Sequence, residues 1–190
     1  DALLRIARVE AMASDSGMSP VDLKDLVEEM AELYAPLVED EGGRLECRVS
    51  GQVQAVCSRD LVAQALVNLI ENALKYGRPE AGELLISIKA ETREDSIVLT
   101  VADNGTGIPD SELDRVAGRF VRLDESRSKP GYGLGLSLVN AVARLHGGAL
   151  VLKDAKPGLS AELDLKKAEG RGIESGDGQP GGRQGEDGNH

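Results

Sequence analysis

The sequence predicts an α/β sandwich of the α+β kind, two layers deep, in which a mixed, largely antiparallel sheet carries its helices on one face. Three observations predict it. Strand-like runs occur in neighbouring pairs, at 83–92 with 96–103 and at 149–153 with 161–165. Three other segments place apolar residues at spacings of three and four, the mark of helices with one buried face. The order of these segments is mixed and does not repeat as strand, helix, strand, which disfavours a doubly wound parallel sheet.

Residues 1–13 (DALLRIARVEAMA) are helix formers with apolar positions at Leu3, Ile6, Ala7 and Val9, and the pattern breaks between Ser14 and Pro20. A second helix is expected from Asp22 to Glu39, with Leu23, Leu26, Val27, Met30, Leu33 and Leu37 on its apolar face and Ser19-Pro20 as its start signal. RLECRVS at 44–50 alternates, and QAVCS follows a turn at Gly51, so the two read as paired strands. A helix is expected from Asp60 to Tyr76. The runs 83–92 and 96–103 then form a hairpin across Arg93–Asp95. Beyond Gly105 and Gly107 comes an irregular stretch with a short helix at Asp110–Ala117. The last helix runs from Leu134 to Leu145 and stops at Gly147-Gly148. Two strands around a Pro157-Gly158 turn complete the fold. From Gly170 to His190 the chain holds eight glycines and one large apolar residue, Ile173. Too little apolar surface exists there to offset the entropy of ordering, so 168–190 reads as a disordered tail and 17–167 as one domain.

A chain of 190 residues with 41% hydrophobic content suits one globular core. The apolar runs are short and broken by charge, so neither a membrane span nor a signal peptide is expected. Cys47 and Cys57 flank a turn and read as reduced core thiols. The formal charge of −11 argues against nucleic acid, whose phosphates demand a basic footprint. An anionic ligand then needs locally concentrated bases. Arg115, Arg119, Arg122, Arg127 and Lys129 supply them, against only Asp124 and Glu125 in the same stretch.

Three clusters carry chemistry. In NLIENALKY at 68–76, the residues Gln64, Asn68, Glu71, Asn72 and Lys75 share one helical face. Asparagine is a poor helix interior residue because its amide competes with the backbone, so two of them one turn apart call for a purpose. A side-chain carbonyl that ligates a hard cation such as Mg²⁺ is one; a hydrogen bond within the fold is the other. DNGTGI at 103–108 follows a strand, and its alternate glycines let the backbone approach a flat ligand while an Asp accepts a hydrogen bond from an exocyclic amine. GYGLGL at 131–136 opens a helix, leaving N–H groups and the positive dipole end free to face phosphates.

In this order the clusters resemble the N, G1, F and G2 boxes of the sensor histidine kinase catalytic domain, within the gyrase, MutL and histidine kinase ATP-binding superfamily. The resemblance covers about residues 20–166 and implies a Bergerat-type fold with a mobile ATP lid. By it, Asn72 ligates Mg²⁺ with Asn68 in support, and Lys75 and Tyr76 border the nucleotide. Asp103 binds the adenine amine, with Gly105, Gly107 and Ile108 shaping the pocket. Arg119, Phe120 and Arg122 match the F box in the lid, and Gly131, Tyr132, Gly133, Leu134, Gly135 and Leu136 match the phosphate-facing G2 box. Ala117 and Val121 depart from the family by replacing lid aromatics.

The position four before the metal-binding asparagine is a water-activating Glu in the hydrolysing relatives and is Asn68 here, which favours transfer over hydrolysis. Asn68, Glu71, Lys75 and Arg122 are the candidate catalytic residues. The resemblance implies transfer of the ATP γ-phosphoryl to a histidine set in a helical hairpin. The only histidines are His146 and His190, and neither has the acceptor's motif. His146 reads as a helix cap or packing residue. Residues 1–16 then read as the end of the dimerising hairpin and its linker. The acceptor domain and a response regulator receiver domain are the expected partners, with a homodimer in the full-length protein and a cytoplasmic location. An anti-sigma-type serine kinase and a degenerate ATP-binding regulatory module are the alternatives.

Overall fold

The computed structural model describes residues 17–109, 111–113 and 135–167. Ten elements follow one another: β1 (Ser19–Asp22), α1 (Leu23–Asp40), β2 (Gly43–Ser50), β3 (Gln54–Cys57), α2 (Arg59–Tyr76), β4 (Leu84–Thr92), β5 (Ser96–Asp103), α3 (Gly135–Leu145), β6 (Leu150–Asp154) and β7 (Leu159–Lys166). Five strands form one sheet in the order β2-β4-β5-β7-β6, with β2 parallel to β4 and every other pair antiparallel. Strand periodicity puts Leu84, Ile86, Ile88 and Ala90, then Ile97, Leu99 and Val101, then Ala161, Leu163 and Leu165 on one face, all buried. Helices α1, α2 and α3 cover that face with Leu26, Val27, Leu66, Ile70, Val139 and Val142. Each such side chain contributes about 1.5–3 kcal/mol by leaving water. The expected one-faced sandwich and the β4–β5 hairpin are therefore present.

The other face is wet. Val98 is the exception, buried on the outer side where Arg93 bridges Glu91 and Glu162 across β5. Lys153 adds a 2.7 Å contact to Glu162, and the two cations hold that carboxyl below its usual range although burial alone raises it.

Four expectations need correction. The runs at 44–50 and 54–57 do not pair with each other. β2 joins β4, and β3 pairs antiparallel with β1 in a separate two-stranded sheet, register Ser19↔Cys57 to Asp22↔Gln54. Local alternation marks a strand but not its partner, and Ser19-Pro20 lies in β1 instead of starting α1. The cap is Asp22, whose carboxylate accepts the Lys24 N–H at 2.9 Å. Along α1 the buried stripe runs Leu26, Met30, Tyr34, Val38, so Leu33 and Leu37 point outward, 58% and 50% exposed. The thiols also part company. Cys57 is buried and its pKa is pushed up to about 11 by loss of water, whereas Cys47 is exposed on an edge strand. The short helix expected at 110–117 is helical at 111–113, and its remaining residues lie outside the described ones.

His146 ties two helices together. It ends α3, its Nδ1 lies 2.7 Å from the Val142 carbonyl, and its Nε2 accepts the Ser58 N–H at 3.0 Å, where Ser58 caps α2. The neutral ring with the proton on Nδ1 satisfies both contacts. Protonation would turn the acceptor Nε2 into a donor facing another donor, and burial opposes the charge, so the pKa lies below 6.5. The unfolded chain then takes up this proton first as pH falls, and stability is lost progressively below about 6.5. Urea midpoints measured from pH 7.5 to 5.5 should fall, and His146→Gln, which can keep both contacts without titrating, should flatten that fall.

Candidate functional site

Helix α2 forms because Leu61, Val62, Ala65, Leu66, Leu69, Ile70 and Ala73 make a continuous buried face, which leaves the polar stripe on its flank. Asn68 and Asn72 are half-buried there. The Asn68 Nδ2 donates to the Gln64 carbonyl one turn back at 2.7 Å, so the amide is partly satisfied within the helix while its Oδ1 faces outward. That oxygen meets the start of α3. A Cβ placed on Gly135 would stand 3.3 Å from Asn68 Oδ1 and 3.2 and 3.5 Å from Asn72 Nδ2 and Oδ1. A side chain here would crowd both amides, so glycine lets the N-terminus of α3 sit against the asparagine pair. Its first N–H groups, from Gly135 and Leu136 onward, lack helical acceptors. A polar pair of carbonyl oxygens beside a helix N-terminus is a donor set suited to a hard cation shared with phosphates.

The stripe's remaining members diverge. Glu71 is exposed and lies near the Tyr34 side chain of α1; burial first, then this carboxylate, raises the tyrosine pKa. Glu71 thus lies on the α1 side of the helix. Lys75 Nζ stands 5.1 Å from the Tyr76 ring centroid, a cation–π distance.

Asp103 closes the opposite end of the site. It ends β5 with its Oδ1 accepting N–H groups from Gly105 at 2.9 Å and Leu159 at 3.2 Å. Burial raises its pKa and these two donors counter that. One carboxylate oxygen is thus held in place by backbone. Three chain segments converge on it at separations open only to glycine. A Cβ on Gly77, at the end of α2, would lie 2.5 Å from the Asp103 Cβ; one on Gly105 would lie 2.6 Å from the Gly77 carbonyl carbon; one on Gly158 would lie 1.9 Å from the Asp103 carbonyl oxygen. Gly107, at φ +71°, stacks on Gly158 in turn, and Ile108 follows, half-buried. Asn104 locks the same strand end to β4, accepting the Leu85 N–H at 2.7 Å and donating to the Glu83 carbonyl at 3.0 Å.

The structure therefore brings Asn68, Asn72 and Gly135 together, and joins Asp103, Gly105 and Gly107 to the far end of the same helix. Arg119, Phe120, Arg122, Gly131, Tyr132, Gly133 and Leu134 lie outside the described residues, as do Ala117 and Val121. Sequence reading missed Gly77 and Gly158. Each sits beside ordinary turn chemistry, Gly77 before Arg78-Pro79 and Gly158 after Pro157, and only the close approach to Asp103 marks them. A trough of about 500 Å³ opens on the outer sheet face beside Lys89, Ser87 and Ser160. It touches Asp103 from behind, and neither Asn68 nor Asn72 lines it.

Gly158→Ala combines a φ of +99° with the 1.9 Å clash, whereas Gly51→Ala meets the φ cost of a left-handed residue, at +78°, in open space. We expect about 1 kcal/mol of destabilisation for Gly51→Ala and about 3 kcal/mol for Gly158→Ala, read from denaturant unfolding. Equal costs would remove the close packing at Asp103 as a constraint.

The comparisons with known proteins agree with this geometry. Residues 57–174 match the family of histidine kinase-, DNA gyrase B-, and HSP90-like ATPases. The chain is similar to the adaptive-response sensory kinase SasA of Crocosphaera subtropica, 37% identical over 139 residues, covering 73% of this chain and 36% of that protein. It is similar also to the sensor protein CreC of Escherichia coli, 32% identical over 158 residues, covering 83% of this chain and 32% of that one. It thus spans about a third of the length of these curated relatives. Among solved structures, the catalytic domain of the histidine kinase ThkA superposes with a TM-score of 0.70 at 19% identity, over 80% of this chain and 99% of that one, a likeness of fold. Full-length ShkA in complex with AMPPNP gives 0.72 at 26% identity, over 89% of this chain and 35% of that one. The glycine-bound aspartate at one end of α2 and the asparagine pair along it accord with these matches, and the family model, which takes in more than half of the chain, places it: the chain belongs to the histidine kinase-, DNA gyrase B- and HSP90-like ATPases.

Proposed function

We propose that the chain binds ATP with Mg²⁺ and transfers the γ-phosphoryl group to a histidine on a dimerisation domain outside the described residues, from which a response regulator receiver domain takes it. The carrying observation is the spacing of two unlike ends along one helix: a backbone-held carboxylate at the α2 terminus, and an amide pair against the N-terminus of α3 farther back along it. The first suits the exocyclic amine of adenine and the second suits metal-bound phosphates.

In this reading Asp103 accepts the adenine amine, and Gly105, Gly107 and Ile108 line the base. Asn72 holds the Mg²⁺ ion with Asn68 in support, Lys75 and Tyr76 border the nucleotide, and Gly135 and Leu136 present N–H groups to phosphate. The ion neutralises phosphate charge; the chain's own residues position the nucleotide. Arg119, Phe120 and Arg122 would add cations and a ring from the lid, and Gly131, Tyr132, Gly133 and Leu134 would complete the phosphate loop. Phosphoryl transfer rests mainly on such positioning and charge neutralisation. Asn68 has no proton-accepting carboxylate and spends its amide on Gln64, which supports transfer over attack by water. His146 is 6% exposed with both ring nitrogens engaged, which supports an acceptor elsewhere. Residues 1–16 as the end of a dimerising hairpin, 168–190 as a tail, a full-length homodimer, no role for nucleic acid, and a cytoplasmic setting belong to the same proposal. Among the described residues no helix is long and apolar enough to cross a membrane.

Asp103→Asn keeps an acceptor for Gly105 and Leu159 but turns an amide N–H₂ toward the adenine amine. Calorimetric titration with ATP and Mg²⁺ should show at least a tenfold loss of affinity, about 1.4 kcal/mol or more. Unchanged affinity would remove Asp103 from the adenine role. Incubation with γ-labelled ATP should leave little label on this chain alone, and acid-labile label at His146 would overturn the acceptor assignment.

A further inference from the structure

We propose that Asn104 is a positioning residue for the base-binding carboxylate: its side-chain amide fixes the turn that aims Asp103, so preference for a base with a 6-amino group depends on it. This role presupposes that Asp103 meets the adenine amine. Asp103 Oδ1 accepts the Gly105 N–H two residues on at 2.9 Å, which closes an Asx turn with Asn104 as its middle residue. The Leu159 N–H reaches the same oxygen at 3.2 Å. Among the described residues no hydrogen bond falls on Oδ2, the oxygen left to face a base. Its direction follows the plane of that turn, and whatever fixes residue 104 fixes the direction.

Asn104 is fixed by its side chain. The β4–β5 ladder ends at the pair Ile86↔Asp103, so strand pairing no longer holds the next residue. The amide takes over in place of backbone: Oδ1 accepts the Leu85 N–H at 2.7 Å and Nδ2 donates to the Glu83 carbonyl at 3.0 Å. Two bonds from one planar group leave it little freedom, and an aspartate could not form both because it lacks the donor. The same amide closes a loop. Residues 77–83 leave α2 at Gly77, whose backbone lies against Asp103 and Gly105, and return at Glu83, held by Asn104. Both ends of that loop are thus referred to residues 103–105. Gly158 packs on them as well, so close that an added Cβ would lie 2.9 Å from Asn104 Cα. Without the amide, the turn keeps its Leu159 contact but loses its tie to β4, and the carboxylate can pivot about that contact. Hydrogen bonds weaken steeply once they bend, so a pivot costs the amine contact before it costs the fold.

Calorimetric titration of the full chain with Mg²⁺ and either ATP or purine riboside triphosphate, which lacks only the 6-amino group, reads this role. The unsubstituted chain should favour ATP by about tenfold or more. Asn104→Ala should bring that ratio within about threefold by weakening ATP, with the analogue little changed. Asn104→Asp, which keeps the side-chain shape and the acceptor for Leu85, should narrow it too; its added charge acts equally on both nucleotides and cancels in the ratio. Thr92→Val removes the 2.6 Å bond to the Gln52 carbonyl at the far end of β4 and should leave the ratio unchanged. An unaltered ratio in either Asn104 variant, an equal loss for both nucleotides, or the same narrowing in Thr92→Val would overturn the role of Asn104 while leaving that of Asp103 standing. A ratio near one in the unsubstituted chain would instead overturn the adenine reading, and this role with it.

Discussion

The site depends on the contact of three backbones around one carboxylate. Gly77 ends a helix, Gly105 follows a strand, Gly158 turns a hairpin, and all three lie so close to Asp103 or to one another that a methyl group would collide. This contact fixes the distance between helix layer and sheet at one point, so the position of α2 along β5 is set. The asparagines two turns back inherit that position. A nucleotide site whose ends are both referred to one helix needs little rearrangement to keep base and phosphate at a constant separation.

Much of this was legible in the sequence because it is local. The helical period of 61–74 and the alternation of 83–103 each announce an element and its buried side, and Asn68, Asn72 and Asp103 announce themselves as polar residues where the pattern asks for something else. What was not legible is relational. The parallel pairing of β2 with β4 joins segments separated by the whole of α2, and no turn residue encodes it. Leu33 and Leu37 satisfy a spacing of four as well as Tyr34 and Val38 do, and only packing against β2 and α2 decides between the stripes. Gly77 and Gly158 look like ordinary turn glycines until Asp103 is beside them.

The Asn68 amide shows how one residue can serve fold and chemistry together. Its hydrogen bond to Gln64 answers the difficulty of an asparagine inside a helix, and the same bond fixes which atom faces α3. The two readings that the sequence left open, an internal hydrogen bond and a polar group for the ligand, are therefore the two ends of a single side chain.

The small β1–β3 sheet has a mechanical consequence. Ser19 and Cys57 form its terminal pair, and the chain arrives at the one and leaves from the other at the same end of the ladder. A pull on the segment before Ser19 would therefore peel the ladder one pair at a time instead of shearing it, and the first pair to open adjoins Ser58, whose N–H is held by His146. Tension is delivered to the first turn of α2, the helix that carries both asparagines, at a joint built to yield before the core does.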